Sequence, residues 1–311
     1  MIGKVDRENI LVIKHGALGD FVLSTGPFKA IREFHSNDSI TLLTSPKFIP
    51  LAKDCGWFDQ VISDERPKIW NIRNLLTLRT KLRNNLFKRV YDLQTSRRSS
   101  SYFLLFPNPK PEWSGIVRGC SHEHNNLNRD YMHTIERQAE QLKIAGILDV
   151  PLPDISWLSS SLNKFDLPEK FVLFVPGGSP HRAAKRWPVM HFSKLAEMLL
   201  VDGITPLLIG SNAESKIMSE IAINVRGVHN FCGKTDIADI ASLARKASAA
   251  VGNDTGPMHV IASAGCPSLV LFSHASEPSI TSPRGPSIKV LQSTNIQSLI
   301  ASKVKTNMIF R

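Results

Sequence analysis

Cysteine is scarce in this chain. Cys55, Cys120, Cys232 and Cys266 are far apart and form no CxxC pair. The expectation is four reduced thiols, mostly packed inside. Long apolar runs are missing too, and a membrane-crossing helix needs about 20 such residues. Met1–Asn9 is polar and Ile10–Ile13 is too short for the apolar core of a signal peptide, so the expected location is the cytoplasm. Aromatic residues make up only 7% of the chain. Acid is nearly missing from Arg66 to Arg98, where ten basic residues stand against Asp92 alone. With only Trp70, Phe87 and Tyr91 as rings, that run is a poor match to single-strand binders, so no nucleic-acid partner is expected. A complete GxGxxG is also missing: Gly16 and Gly19 supply only a GxxG, a poor match to a nicotinamide dehydrogenase.

What is present is a globular composition. The chain has 311 residues, 42% hydrophobic and 21% charged, enough for two domains. Its net charge of +11 fits an anionic partner.

The elements alternate. Ile10–Lys14 reads as a strand buried on both faces, followed by a glycine turn and a helix to about Phe34. Strands are predicted at Ser39–Thr44, Asp59–Ser63 and Arg89–Gln94, with helices at Pro46–Cys55, Ile69–Leu86 and Tyr131–Ala145. Pro107–Asn128 shows no period. Its His122 and His124 have no nearby partners for a metal site, and no metal is expected. Asp149–Asp166 reads as an interdomain linker between domains at 1–155 and 166–311.

A second alternating series follows. Strands are predicted at Phe171–Val175, Ile204–Ile209, His229–Phe231, Ala249–Val251, Ser268–Phe272 and Ile288–Leu291. A terminal helix is expected over Asn295–Ile309, and the C-terminal segment is a candidate to pack back on the first domain. Alternation predicts an α/β fold with parallel sheets.

Ala250–His259 concentrates the polar signals. A strand end, the turn Gly252-Asn253-Asp254-Thr255-Gly256, and Pro257 in a first helical turn together suit an anion, because free N–H groups and the helix dipole face it. The plainer reading is an ordinary turn capped by Thr255. Likewise Asp20 stands at a helix start, where an acid is often a cap worth roughly 1 kcal/mol. Arg97 and Arg98 follow a strand at its carboxyl end, where open parallel sheets bind ligands.

Four motifs occur in order: Lys14-x-x-Ala17-Leu18-Gly19-Asp20; Asp92-Leu93-Gln94; Pro176-Gly177-Gly178-Ser179 with Lys185-Arg186-Trp187-Pro188; and Gly252 to His259. Together, from Ile10 to about Leu291, they resemble the family 9 glycosyltransferases, the ADP-heptose:lipopolysaccharide heptosyltransferases. The resemblance implies a GT-B fold, two Rossmann-like domains with parallel sheets facing across a cleft. It implies an inverting, metal-independent transfer from ADP-heptose to an inner-core acceptor or a related surface glycan. The chain has no DxD triplet, the metal–diphosphate ligand of the other major transferase fold.

The resemblance also implies roles. Asp20 matches the catalytic base and Lys185 the diphosphate-contacting lysine. Gly178, Ser179, Glu214, Asp254, Thr255, Gly256 and His259 fall on the donor side, with Glu214 matched to the nucleoside. For Glu214 a first-turn helix acid, and for His259 packing beneath the loop, remain alternative readings. Lys14, Gly19, Gln94, Arg97 and Arg98 fall on the acceptor side. The implied acceptor is an anionic lipid-linked glycan, and Arg79, Lys81 and Arg83 become candidates to hold the protein to the anionic inner leaflet. Other donors or acceptors on the same fold, an epimerase or hydrolase acting on the donor alone, and a non-catalytic sugar-nucleotide binder are the competing readings.

Overall fold

The computed structural model describes residues 7–66, 72–178 and 186–311. The chain divides into two compact units, Met1–Leu152 and Pro153–Arg311.

The first unit carries strands β1 (Asn9–Ile13), β2 (Ser39–Thr44), β3 (Gln60–Ser63), β4 (Arg89–Asp92), β5 (Glu112–Gly115) and β6 (His122–Glu123). They form one parallel sheet in the order β3-β2-β1-β4-β5-β6. The second unit carries β7 (Phe171–Val175), β8 (Thr205–Leu208), β9 (His229–Asn230), β10 (Ala249–Asn253), β11 (Ser268–Ser273) and β12 (Ile288–Ser293). Its parallel order, β12-β11-β10-β7-β8-β9, repeats the same topology. Each sheet starts in its middle, grows one way for three strands, then crosses back and grows the other way. That crossing is a switch point, where the two neighbouring connections diverge and leave a crevice at the strands' carboxyl ends. It lies between β1 and β4 in one unit and between β7 and β10 in the other.

The central strands are apolar throughout because helices cover both faces. Ile10 to Ile13 and Val172 to Phe174 are fully buried. Helix Val189–Val201 packs Phe192, Leu195 and Leu199 into the second core beside Trp187.

Four expectations change. The helix from the glycine turn to Phe34 is two helices, Leu18–Leu23 and Thr25–Phe34, broken at Ser24. Pro27 explains this: its ring cannot continue a helix over the carbonyl four residues back, but it is tolerated in the first turn of a new one. Two strands, β5 and β6, lie in the stretch without period; at four and two residues they are too short to show one. In the stretch expected to be a linker, Ile155, Leu158 and Leu162 are buried, and Arg245 of the same unit donates to the carbonyls of Leu158 (2.7 Å) and Ile155 (2.8 Å). Pro153 onward is therefore strapped to helix Ile237–Lys246. At the end of the chain a short 3-10 turn, Ile296–Ser298, precedes helix Ala301–Asn307. Val304 of that helix is buried in the second unit's core, and Lys305 Nζ donates to the Met198 carbonyl at 3.2 Å.

Gly16, which turns the chain out of β1, has φ +94, and a Cβ there would stand 2.0 Å from the Phe48 ring. That ring is buried and stacks on Phe21 at 5.1 Å, so it has little room to move. Gly16→Ala is expected to lower unfolding free energy by about 2–4 kcal/mol, from left-handed backbone strain and overpacking together. Urea denaturation midpoints measure this, and a loss below about 1 kcal/mol would mean the loop adapts.

Candidate active site

In the first unit the switch point is framed by the loop after β1 and the loop after β4. Ala17 starts helix Leu18–Leu23, and Asp20 lies in its first turn, half-buried. Asp20 Oδ2 accepts from the Ala17 N–H at 3.1 Å, so the capping role is present. It occupies one oxygen; Oδ1 has no hydrogen-bond partner among the described residues. A cap and a base are compatible, because the cap uses one carboxylate oxygen and leaves the other.

Behind this loop lies a polar interior. Lys14 is only 4% exposed, and its Nζ donates to the Leu93 carbonyl at 3.3 Å. Burial pushes its ammonium down to about 8, against the attraction of Asp20. Gln138 Nε2 donates to Ser24 Oγ at 3.0 Å, and Ser24 Oγ donates to the Asp20 carbonyl at 2.7 Å. Asp92 is fully buried, and its Oδ1 accepts from the N–H groups of Gln94 (3.1 Å) and Thr95 (3.0 Å). Burial pushes its carboxyl up to about 6. This Asx turn holds Thr95 at φ +43, a conformation disfavoured for a β-branched residue. Gln94 turns inward, its Oε1 accepting from the His15 N–H at 2.9 Å. Arg97 is exposed and Arg98 half-buried on helix Arg97–Ser101, whose start Ser96 and Ser99 cap reciprocally. Gly19 is buried within its helix.

One cluster escaped the sequence reading. His15 Nε2 lies 2.8 Å from Asp64 Oδ2, and the Tyr102 hydroxyl donates to the same oxygen at 2.5 Å. Burial opposes ionisation of Asp64, yet the bonds from His15, Tyr102 and the Arg66 N–H hold its carboxyl below the ordinary range. Asp64 also lines a cavity of about 180 Å³ at the carboxyl end of β3, with Ser63, Glu65, Asn74, Thr77 and Lys81.

In the second unit the loops after β7, β8 and β10 converge on two side chains. Asn253, fully buried, donates from Nδ2 to the carbonyls of Pro176 (2.8 Å) and Gly177 (3.1 Å), and its Oδ1 accepts from the Trp187 N–H at 2.9 Å. Glu214 Oε1 accepts from the Gly178 N–H at 2.6 Å; Oε2 accepts from Ser211 N (2.8 Å) and Ser211 Oγ (2.9 Å). A Cβ on Gly177 would stand 1.8 Å from Glu214 Oε1, which is why glycine is needed there. Arg186 Nη2 donates to the Gly178 carbonyl at 2.7 Å, and its buried Nε has no partner among the described residues. Neither Asn253 nor Arg186 was singled out from sequence; Asn253 stood inside a quoted motif as a turn former, and Arg186 beside Lys185.

Thr255 precedes helix Gly256–Ser263 in extended conformation, as a cap residue does, but its side chain caps nothing. Its hydroxyl is buried with no hydrogen-bond partner among the described residues. A buried hydroxyl at a helix N-terminus, beside Gly178 and the amide of Gly256, suits an anion. Asp254 is half-buried at the turn, its N–H donating to the Leu271 carbonyl at 3.2 Å, and His259 is buried one turn into the helix. Ser179 and Lys185 lie outside the described residues. Among those residues no three His, Cys, Asp or Glu side chains gather as metal ligands, and no helix is long and apolar enough to cross a membrane. His124 faces Glu140 at 3.3 Å, and His122 faces Glu112 at 3.7 Å.

Two Rossmann-like sheets, each with its polar loops gathered at the switch point, define an α/β protein of the GT-B type. The model of glycosyltransferase family 9 (heptosyltransferase) matches residues 75–308, and the chain belongs to that family. It is 26% identical to lipopolysaccharide heptosyltransferase 2 of Escherichia coli K12, over 91% of this chain and 87% of that protein. A solved structure of E. coli ADP-heptose LPS heptosyltransferase II superposes with a TM-score of 0.76, at 23% identity, covering 95% of this chain and 96% of that one. The structure of E. coli heptosyltransferase WaaC with ADP gives 0.76 at 18% identity, covering 96% and 98%. Identity reaches 33% over 135 residues shared with lipooligosaccharide heptosyltransferase 2 of Haemophilus influenzae, 40% of this chain and 39% of that protein.

Two outcomes follow from this geometry. Asp92 binds a proton more tightly folded than unfolded, so its contribution to stability is full below pH 3.8 and is lost as pH rises through about 6. Asp92→Asn should therefore gain stability relative to the parent across that window in denaturant melts; parallel curves would show that Asp92 ionises freely. Asn253→Ala leaves two carbonyls and an N–H without their partner and is expected to cost roughly 2–4 kcal/mol. Its nucleotide-induced thermal shift should shrink as the three loops loosen, and an unchanged shift would detach Asn253 from the site.

Proposed function

We propose that this protein transfers a heptose from ADP-heptose to an anionic, lipid-linked inner-core glycan, with inversion at the transferred carbon. The observation that carries the donor side is the buried Thr255 hydroxyl at a helix N-terminus, without a hydrogen-bond partner among the described residues. The diphosphate meets it there, with the Gly256 amide, Gly178 and Arg186 alongside. Ser179 and Lys185 join them in this reading. Glu214 already accepts three bonds, and a carboxylate has about four lone-pair sites, so it keeps capacity for a ribose hydroxyl. Asp254 takes the sugar hydroxyls. The WaaC structure with ADP supports the choice of nucleotide.

On the acceptor side Asp20 is the base. Its Oδ1 takes the proton from the acceptor hydroxyl as that oxygen attacks the anomeric carbon. The bond from that carbon to the diphosphate breaks, and ADP leaves with the electron pair. Positive groups and N–H dipoles stabilise the charge that develops on the leaving phosphate. A single displacement from the opposite face inverts the carbon. Arg97 and Arg98 bind acidic groups of the acceptor. Lys14, Gly19 and Gln94 support the loop around Asp20 from behind, since Lys14 and Gly19 are buried and Gln94 bonds His15. The reaction as drawn assigns no step to a metal, and the protein works at the cytoplasmic face of the inner membrane, held there peripherally by its basic run.

Asp20→Asn is expected to lower transfer by about a thousandfold. Its thermal shift with ADP and ADP-heptose should match the parent's. Transfer within a few-fold of the parent would remove Asp20 as base. A parent shift with UDP or GDP and none with ADP would replace the donor.

A further inference from the structure

Helix Ile72–Asn84 buries Leu78 and Leu82, and the rest of an ordinary surface helix would be polar. Here it is not. Leu76 is 51% exposed and Leu75 36%; Leu86, just past the helix, is 80% exposed. Leu104, in the 3-10 turn Tyr102–Leu105, is 75% exposed. The two elements adjoin, because Arg83 Nε donates to the Leu105 carbonyl at 3.1 Å. Leu76, Arg79 and Arg83 follow one another at spacings of three and four, which puts them on one stripe of the helix. Arg73 and Lys88 are exposed too, and no acid occurs in the sequence between Arg66 and Tyr91.

We propose that Leu76, Leu104 and Leu86, set among Arg79, Arg83 and Lys88, form a surface that inserts into an anionic lipid bilayer. This deepens the membrane part of the proposed function, and rests on that reading only for its purpose. Charge complementarity selects the occupant. A patch of one sign repels a second copy of itself. A nucleic acid would call for exposed aromatic rings, and Phe87 and Phe106 beside this patch are buried. Anionic headgroups match the guanidinium groups, and leucine side chains gain by leaving water for the acyl boundary. Arginine serves both ends: its stem lies along apolar surface and its head stays among phosphates. The basic run by itself predicts attraction; the leucines add partial burial, which salt does not screen.

The test is co-sedimentation of the full chain with phosphatidylcholine vesicles, with and without phosphatidylglycerol. The parent should bind the anionic vesicles, bind neutral ones weakly, and lose part of its binding as salt rises. Leu76→Ser with Leu104→Ser should weaken partition onto anionic vesicles about tenfold. Arg79→Gln with Arg83→Gln should weaken it about tenfold and flatten the salt dependence. The leucine pair should keep the parent's thermal shift with ADP, which shows that it is folded. Equal sedimentation of the leucine pair and the parent overturns the proposal. So does equal binding to neutral and anionic vesicles, or a leucine pair that changes oligomeric state without changing vesicle binding. A parent that binds vesicles yet shows no shift with any nucleotide counts against the transferase reading and leaves the lipid surface standing.

Discussion

A parallel strand that ends at a switch point leaves backbone N–H and C=O groups that the ladder no longer uses, and burial makes each of them costly unless a side chain takes it up. Both units of this chain meet that constraint at the place where their ligand loops begin. In the first, Lys14 and Gln138 take the Leu93 carbonyl, Gln141 takes those of Asp92 and Ser114, and Asp92 takes two amides of the next turn. In the second, Asn253 takes two carbonyls and one amide, and Glu214 takes two amides from different loops. The loops are held by strand ends and helix interiors, so their geometry exists before any substrate arrives.

This division of labour explains why so many polar residues near the crevices are buried. Asn253, Asp92, Gln138 and Gln141 face inward and position backbone. Groups with spare capacity are fewer. Among the described residues Asp20 keeps one carboxylate oxygen open, Thr255 keeps a hydroxyl, and Glu214 keeps about one lone-pair site. In the proposed reaction these groups are the proton acceptor on one unit and the anion and nucleoside site on the other. A buried framework around them means that little reorganisation is needed when charge moves in the transition state.

The excess of positive charge is likewise not uniform in meaning. Arg89 is consumed by Glu112 and the Tyr91 hydroxyl at the start of β4, and Arg245 by the carbonyls of Leu158 and Ile155 within the second unit. Arg97 stands exposed beside the first crevice. Arg79, Arg83 and Lys88 belong with exposed leucines to a stretch that has no acid between Arg66 and Tyr91. Net charge alone would have treated these arginines and lysines as one population.

Period and punctuation carried the architecture. β2 and β7 fall on the residues expected, since continuous apolar runs are local properties that tertiary contacts only confirm. The loops that matter were also legible, because Gly16, Gly177 and Gly252 to Gly256 break those patterns at strand ends. What the chain's order could not show was which groups meet. Ile155 and Leu158 read as linker, yet Arg245, more than eighty positions away, captures their carbonyls. His15, Asp64 and Tyr102 form one cluster from three separate segments. Asn253 as a clamp required Trp187 and Pro176 to be brought beside it. Sequence determines where backbone must turn and which faces must leave water, because those depend on neighbours in the chain. Partners of buried polar groups depend on how strands are ordered in a sheet, and only the folded topology decides that.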